Sequence, residues 1–485
     1  MGSLPPSRHR ERKCLMSRSL QRPNILLLYT DQQRFDSLRC AGNSLAHTPN
    51  LDRLAAQGAF LEHTYVQASV CVPSRMSFLT GRYCSSLGVG WNGVNFPEQH
   101  AVPVNQILKP YGYHTAQIGK LHFTSHIRRQ HRNPQPTFGF DTLILSDQPG
   151  SYDDPYIQWV QAIAPDQVDK VRLPLNPVAM KYGHKSHKPP RSEWEPVLCE
   201  ADEDLTHSAF VASETCRYLE SRPAGQPFFA IAGFFFPHAP LVAQERFVKM
   251  FDPAQMPLPK LGPGERFGAQ VADFTPAQWQ LARTYYAALV AEVDACVGRI
   301  LDTLERQGLA DNTLVIFTSD HGEYIGDHGR VGKGMPGHDC ITRVPMLLRW
   351  PGRIPAGQRL SALVEHVDVV PTLLDYAGIQ TPTFVQGRSL RALLEGRTPT
   401  HRAEVLTESF FPYGNSESTI RTEAYKYNVK QSGAEILYDL QRDPDELGNV
   451  AGDSAYREVL AEMRLRLICR LQDAGRQFRE QVAEW

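Results

Sequence analysis

The chain has 485 residues, of which 42% are hydrophobic, and its 51 basic and 52 acidic side chains leave a formal net charge of −1. This balance argues against nucleic acid or an anionic membrane surface as a partner, because binders of this size usually carry a basic excess. The apolar content suffices for a large core, and the length predicts two or three domains, or one large α/β domain with an appendage.

The N-terminal segment, residues 1–20, is basic and lacks an apolar stretch, so we expect a disordered leader and not a secretory signal. The longest apolar run, Phe228 to Phe236, is far shorter than the roughly 20 residues that span a membrane. Nine cysteines without paired short spacings are typical of reduced thiols. Together these features predict a cytoplasmic protein without a membrane anchor.

Four short apolar runs, each followed by a polar turn, predict strands of a mostly parallel sheet that helices cover on both faces. The runs are Asn24–Tyr29, Thr115–Ile118, Phe228–Phe236 and Leu314–Thr318. Ligand sites of open α/β sheets lie beyond the carboxyl ends of the strands. We therefore expect one rim of the sheet to collect the polar residues that follow these strands, namely Asp31, Lys120, His122, His238, Asp320 and His321.

Helical patterns alternate with these strands. One covers residues 49–57, and a longer one runs from Thr275 to Gly308, with proline in the first turn and glycine at the end. The segment from about 148 to 204 has no clear periodicity, and we interpret it as an insertion over the ligand site. These elements predict a catalytic α/β domain over residues 21–400.

The pattern changes after about residue 400. Thr419–Asn428 and Glu435–Leu440 predict antiparallel strands, and the segment from Ser454 to about Val482 repeats leucine and methionine on one helical face. The sequence therefore predicts a small C-terminal α+β subdomain over residues 401–485.

The most informative segment is Cys71-Val72-Pro73-Ser74-Arg75, which is followed by Thr80-Gly81-Arg82. Here the chain resembles the sulfatase family, whose maturation signature has this form. Further motifs in the family order extend the resemblance over nearly the whole chain: NILLLYTDQQ, TPNLDRLAAQG, GKLHF, FFFPHAP, FTSDHGEYIGDHGRVGKG and YDLQRDPDELGNV. The resemblance implies an alkaline-phosphatase-like α/β fold with a mostly parallel central sheet flanked by helices.

The resemblance also implies that a formylglycine-generating enzyme oxidises Cys71 to formylglycine. The chemistry agrees, because a serine or cysteine that attacked a sulfate ester would keep a stable sulfate, whereas a hydrated aldehyde has a second hydroxyl whose deprotonation expels it. A cation and a helix N-terminus would favour the ionised nucleophile, and Pro73 is compatible with a helix start there. In isolation, the motif leaves open that Cys71 is an ordinary buried thiol.

One divalent metal is expected beside the modified Cys71. Its other candidate ligands follow two predicted strands and are Asp31, Gln32, Asp320 and His321. Carboxylate and amide oxygens suit Ca²⁺, Mg²⁺ or Mn²⁺, and a histidine shifts the preference toward Mn²⁺, so we expect Ca²⁺ or Mn²⁺. Many sulfatases have Asp at the position of Gln32 and Asn at that of His321, and both variants resemble ones found within the superfamily. Taken singly, an Asp after a strand is usually a cap or turn residue.

Sulfate requires cations and hydrogen-bond donors around its oxygens. The matching family positions are Lys120, His122, His238 and Lys333. Arg75 matches the position that supports formylglycine and the metal. Either His122 or His238 is the expected proton donor to the departing alcohol. Asn92 matches a side-chain amide that related enzymes present to the site, although Asn beside Gly is also common in turns.

These features predict hydrolysis of an organic sulfate monoester, from a small molecule or a carbohydrate, to an alcohol and inorganic sulfate. A phosphonate monoester or phosphodiester hydrolase is an alternative, because the chain also resembles phosphonate monoester hydrolases at Asp31-Gln32 and Asp320-His321. Those enzymes look as if they carry Tyr and Thr in place of Lys120 and His122, which favours a sulfate substrate. A second alternative is a non-catalytic protein that binds sulfated ligands and keeps Cys71 as a thiol. A homo-oligomer is compatible with the sequence.

Overall fold

A computed structural model describes residues 22–124, 136–173, 192–335, 337–410 and 416–476. The expected basic leader, residues 1–20, lies outside these ranges, as does part of the expected insertion. Within the described ranges, no helix has both the length and the apolarity that crossing a membrane would require.

A nine-stranded, mostly parallel sheet forms the centre of the molecule, which confirms the predicted fold class. Strands up to residue 365 are β1 (Asn24–Asp31), β2 (Ala59–Tyr65), β3 (His114–Gly119), β4 (Thr142–Leu145), β5 (Val197–Leu198), β6 (Phe228–Pro237), β7 (Val242–Ala243), β8 (Thr313–Ser319), β9 (Arg343–Val344), β10 (Met346–Arg349) and β11 (Gln358–Glu365). The order in the sheet is β11-β2-β10-β8-β1-β6-β3-β4, with β9 paired to β2. The four predicted strands are therefore adjacent in space as β8, β1, β6 and β3.

Helices cover both faces of this sheet. They are α1 (Pro49–Ala56), α2 (Cys71–Thr80), α3 (Cys84–Leu87), α4 (Val104–Leu108), α5 (Pro155–Ile163), α6 (His207–Ser221), α7 (Glu245–Val248), α8 (Pro276–Arg306), α9 (Asp339–Thr342), α10 (Val369–Tyr376) and α11 (Arg391–Leu394). Alternate residues of β1 point into opposite cores: Leu26 and Leu28 pack with α6 and α8, whereas Ile25 and Leu27 pack with α2 and α10. Burial on both faces explains why the strand reads as a continuous apolar run.

The C-terminal part is an antiparallel sheet with one helix packed on it. Its elements are β12 (Glu404–Ser409), β13 (Glu417–Thr422), β14 (Tyr425–Lys430), β15 (Glu435–Asp439) and α12 (Arg457–Ala474). The helix contributes Leu460, Met463 and Leu467 to the shared core, as its periodicity predicts. The helix ends at Ala474, whereas the sequence pattern predicts a helix that continues to about Val482. Residues after 476 lie outside the described ranges.

The prediction of one strand over Thr419–Asn428 is wrong, because this segment is the hairpin of β13 and β14. The side chain of Thr422 closes the turn: its Oγ1 accepts a hydrogen bond from the N–H of Tyr425 at 3.1 Å and donates to the carbonyl of Tyr425 at 3.2 Å. The turn lacks the Gly, Pro or Asn that would mark it in a sequence.

Candidate active site

The site lies where the carboxyl ends of β1, β3, β6 and β8 meet, as the strand pattern predicts. Asp31 is the last residue of β1, and Asp320 and His321 follow β8, which is parallel to β1. Ser319 connects the two ends, because its Oγ accepts a hydrogen bond from the N–H of Gln33 at 2.9 Å. Asp31, Asp320 and His321 are all fully buried.

The turn after β3 brings Lys120 to Asp31. Gly119 has φ +85°, and a Cβ there would lie 2.1 Å from the carbonyl oxygen of Gly233 in β6, so only glycine permits this approach. The N–H of Lys120 donates to the same carbonyl at 2.8 Å. The Nζ of Lys120 then lies 2.8 Å from Oδ2 of Asp31, and both side chains are buried.

His122 lies in the same turn as Lys120. The backbone N–H groups of Leu121 and His122 donate to Oδ1 of Asp147, at 2.8 and 3.0 Å. Asp147 is fully buried just beyond β4, where it fixes the path of the turn. His122 is therefore held at the rim in a left-handed conformation with φ +62°, and its side chain is buried.

Helix α2 begins at Cys71, and each of its ten residues is buried. The sulfur of Cys71 lies 3.3 Å from Nε2 of His321, 3.7 Å from Oδ1 of Asp31 and 2.7 Å from Nζ of Lys333. Lys333 comes from the loop that follows β8, whereas α2 follows β2. The predicted nucleophile position is thus at a helix N-terminus that faces residues from distant parts of the chain.

Arg75 lies one turn into α2 and bridges the two carboxylates. Its Nε is 2.7 Å from Oδ2 of Asp320, and its Nη2 is 3.2 Å from Oδ2 of Asp31. The guanidinium group also lies over the ring of Tyr29, 4.6 Å from the centroid. Because a buried carboxylate without a counter-charge is costly, Arg75 stabilises this arrangement through its contacts with both aspartates.

Four possible metal-ligand atoms, one from each of four residues, form a compact group in which all four lie within 4.8 Å of one another. The residues are Asp31, Cys71, Asp320 and His321. The ring of His321 has its Nδ1 2.8 Å from the carbonyl of Gly322, which accepts a hydrogen bond from a protonated Nδ1, and its Nε2 faces the group. This is the arrangement that metal-bound histidines adopt.

Gln32 supplies a further test of whether these residues suit a metal. Its backbone has φ +66°, and its N–H donates to Oδ1 of Asp320 at 3.0 Å. Its side-chain Nε2 donates to the carboxylate of Glu323. The remaining atom, Oε1, is buried and has no hydrogen-bond partner among the described residues. A buried amide oxygen without such a partner, on the residue that follows Asp31 and whose N–H bonds to Asp320, fits a divalent cation that prefers oxygen ligands.

Cations determine the protonation states around this group. Burial alone would raise the pKa of Asp31, but the positive charges of Lys120, Lys333 and Arg75 hold it well below its usual value. Burial lowers the pKa of Lys333, yet the neighbouring Cys71 and Asp31 raise it overall, so the ammonium group persists. The site therefore combines ionised carboxylates with permanent positive charge.

His238 follows β6 and contacts Lys333. Burial and the charge of Lys333 hold the pKa of His238 well below its usual value, so the ring is neutral. Its Nδ1 donates to the carbonyl of Ala239 at 2.5 Å, and its Nε2 accepts from Nζ of Lys333 at 2.8 Å. Nε2 also lies 3.9 Å from Oδ1 of Asp31.

Asn92 makes a contact that the sequence does not predict. Its Oδ1 accepts a hydrogen bond from the N–H of Val72, the second residue of α2, at 2.9 Å. The N-cap residue, Val70, offers no side-chain hydrogen bond to this helix. Asn92 thus caps the helix from a separate loop, and its predicted contact with substrate stays a prediction.

Sequence reasoning missed two carboxylates. Asp147 follows β4 by the same rule that identified the other rim residues, but the short run Thr142–Leu145 was not recognised as a strand. Glu323 lies two residues after His321, and its proximity in the chain was the available signal. Both are fully buried and act on the backbone or side chains of predicted site residues.

Comparison with known proteins agrees with this geometry. Residues 23–379 match the family model described as Sulfatase, and residues 326–473 match one described as N-sulphoglucosamine sulphohydrolase, C-terminal. The chain belongs to the sulfatase family. This sulfatase is accordingly a sulfuric ester hydrolase, and the sequence-based recognition is confirmed.

Two curated relatives align with this sulfatase over nearly their whole length. An arylsulfatase of Clostridium perfringens is 29% identical, covering 93% of this chain and 95% of the relative. An N-acetylglucosamine-6-O-sulfatase of Bacteroides thetaiotaomicron is also 29% identical, covering 95% and 87%. Among solved structures, a phosphonate monoester hydrolase of Agrobacterium radiobacter superposes with a TM-score of 0.80 at 26% identity, covering 93% of this chain and 96% of that one.

Proposed function

We propose that this sulfatase hydrolyses an organic sulfate monoester to an alcohol and inorganic sulfate, with formylglycine made from Cys71 as the nucleophile. The observation that carries the proposal is the position of Cys71, which begins a buried helix 3.3 Å from His321 and 2.7 Å from Lys333. A hydrated aldehyde at this position would supply the attacking hydroxyl and a second hydroxyl for release of sulfate.

Four residues would hold one divalent cation, either Ca²⁺ or Mn²⁺: Asp31, Gln32, Asp320 and His321. When bound, the cation would lower the pKa of a hydroxyl at position 71 and so favour the nucleophilic form. Arg75 would hold both carboxylates in place through its paired contacts with them. The carboxylate of Asp31 would remain ionised even at mildly acidic pH, because its pKa is well below the usual value.

Positive side chains would bind the sulfate group. Lys120 and Lys333 both reach the site: Nζ of Lys120 lies 2.8 Å from Asp31, and Nζ of Lys333 lies 2.7 Å from the sulfur of Cys71. His238 is the proposed proton carrier, because its Nε2 accepts a hydrogen bond from the ammonium group of Lys333. The pair would hold a proton close to the departing oxygen, which favours His238 over His122 for this role.

The substrate class follows from the relatives only as a proposal. The names of the two curated relatives include an aryl and a sugar sulfate ester, so we propose aryl and carbohydrate sulfates as the first substrates to test. The solved phosphonate monoester hydrolase keeps the phosphonate alternative open. Lys120 in the turn after β3, where those enzymes look as if they carry Tyr, favours sulfate.

The test is the ratio of kcat/KM for matched aryl sulfate and aryl phosphonate monoesters. The protein is produced together with a formylglycine-generating enzyme, and Cys71→Ala serves as the control for contaminating hydrolases. We expect the sulfate ester to be preferred and the control to be inactive. A large preference for the phosphonate, or equal activity of the control, would contradict the proposal.

A further inference from the structure

Glu323 is a buried carboxylate that contacts two separate parts of the site. It lies in the turn after β8 and is fully buried. Its Oε2 accepts a hydrogen bond from Nε2 of Gln32. Its Oε1 accepts from the backbone N–H of Ile325 at 2.8 Å and from that of Gly332 at 2.6 Å. Glu323 has no role in the proposed reaction described above.

The contact between Glu323 and Gln32 decides which end of the Gln32 amide faces Glu323 and which end is left without a partner in the described part of the chain. The two ends of an amide have similar size, so packing alone does not distinguish them. In the structure the NH₂ group of the amide faces Oε2 of Glu323, whose other oxygen already accepts two backbone hydrogen bonds. Oε1 of Gln32 is therefore directed away from Glu323 and remains buried without a hydrogen-bond partner among the residues described.

The backbone of Gln32 is held as firmly as its side chain. Its N–H donates to Asp320 at 3.0 Å, and its carbonyl accepts a hydrogen bond from the hydroxyl of Tyr286 at 2.8 Å. These contacts fix a left-handed backbone, which is costly for a residue with a Cβ. With the backbone fixed, the orientation of the amide is the remaining freedom, and Glu323 removes it.

The second contact of Glu323 reaches the loop that carries Lys333. Gly332 directly precedes Lys333, whose Nζ lies 2.7 Å from the sulfur of Cys71. A single carboxylate thus connects the amide of Gln32 with the loop that places an ammonium group at the nucleophile position.

We propose that Glu323 is a positioning residue that aims the side-chain oxygen of Gln32 at the metal and holds the Lys333 loop over Cys71. This inference rests on the proposed function, because the metal and the cation act on the same nucleophile. Glu323 touches neither substrate nor reacting atoms in this account. Supporting residues of this kind change metal affinity by about 10- to 100-fold when they are replaced.

The test measures the affinity of metal-free protein for Mn²⁺ and for Ca²⁺ by calorimetric titration, independently of activity. Glu323→Gln keeps the size of the side chain but opposes the NH₂ group of Gln32 with another amide. We expect its Kd for the preferred ion to rise about 10- to 100-fold. In the double variant Gln32→Glu with Glu323→Gln, the donor and the acceptor of this hydrogen bond exchange places: the amide at position 323 donates to the carboxylate at position 32. The double variant should therefore recover most of the lost metal affinity.

Glu292→Gln is the matched control, because Glu292 is a buried carboxylate on α8 outside the site. Its metal affinity should equal that of the wild type, which separates positioning from the general effect of neutralising a buried acid. Unchanged metal affinity in Glu323→Gln, or failure of the wild type to bind either ion, would overturn the inference. If the affinities change as expected but the wild type hydrolyses no sulfate ester, the positioning role stands and the proposed function fails.

Discussion

At the scale of single residues, the site depends on opposite charges buried in direct contact. Asp31 lies within 2.8 Å of Lys120 and 3.2 Å of Arg75, and none of the three side chains is more than 1% exposed. Removing one partner from such a group leaves a buried charge without compensation, which is far more costly than losing a surface ion pair. A metal bound to the carboxylates would offset part of that loss.

Replacing Arg75 tests this argument. We expect Arg75→Met to lower the free energy of unfolding of the metal-free protein by about 3–5 kcal/mol, because Asp31 and Asp320 lose their shared counter-charge. Saturating metal should restore part of the stability. Chemical denaturation with and without Mn²⁺ measures both effects.

The matched control is Arg53→Met, which removes a partly exposed ion pair with Asp302. Its effect on the free energy of unfolding should stay below about 1 kcal/mol. If Arg75→Met were no more destabilising than this control, the carboxylates would not depend on the guanidinium group.

At the scale of elements, the N-terminus of α2 presents position 71 to the site. The first turn of any helix has N–H groups without a partner in the helix. Here Asn92 supplies one acceptor, to Val72, from outside the helix. The sequence predicts the helix start from Pro73 but cannot predict a cap that comes from a distant loop.

Asn92→Ala should lower the free energy of unfolding by about 1 kcal/mol, the usual cost of losing a cap. Asn92→Asp keeps an acceptor oxygen and should retain more of the stability. Denaturation curves and steady-state kinetics measured on the same preparations decide the role. A large increase in KM for Asn92→Ala, without loss of stability, would instead show that the amide contacts substrate.

The long helix α8 carries a buried acid that makes stability depend on pH. Burial raises the pKa of Glu292 to about 7, although hydrogen bonds from Thr206 and Ser208 at the start of α6 oppose the shift. Because this folded-state pKa exceeds the unfolded value of 4.5, the stabilising contribution is full below pH 4.5 and disappears as the pH rises through 7.

Glu292→Gln removes this titration. The variant should gain stability relative to the wild type as the pH rises from 5 to 8, by up to about 3 kcal/mol, with little difference near pH 4. Urea denaturation across this range measures the difference. Parallel pH profiles for the two proteins would contradict the assigned pKa shift.

The sequence predicts elements well where a repeated physical rule applies. The four rim strands are apolar throughout because both faces are buried, and their polar ends converge because the strands are parallel and adjacent. The sequence does not predict the structure of segments in which a single side-chain contact decides the conformation. The turn at Thr422 and the amide orientation set by Glu323 both depend on one hydrogen-bonding group whose partner is visible only in three dimensions.

At the scale of the whole molecule, buried ion pairs connect the C-terminal sheet to the catalytic part. Lys426 of β14 contacts Asp339 at the start of α9 and also Glu446, and its side chain is 2% exposed. On α12, Nη2 of Arg470 lies 2.8 Å from Glu365 at the end of β11. The loop that contains Lys333 leads directly into α9, so the C-terminal sheet supports the side of the site that this loop forms.

Lys426→Met should lower the free energy of unfolding by about 3–5 kcal/mol, because it removes the buried ammonium group that Asp339 and Glu446 share. Lys430→Met, on the same strand, removes a longer and more exposed contact with Glu417 and should cost less than about 1 kcal/mol. Thermal and chemical denaturation of the two variants provide the comparison. Equal effects would show that burial at Lys426 adds nothing to the connection.

The most direct measurement of the central claim is the mass of the tryptic peptide 54–75, which contains Cys71. The protein is isolated from its native host in active form, and the peptide is compared with the same peptide from Cys71→Ala. We predict an aldehyde-containing peptide in which one oxygen replaces the sulfur, the thiol hydrogen and one hydrogen of Cβ. A peptide that retains the intact thiol in fully active protein would contradict the account.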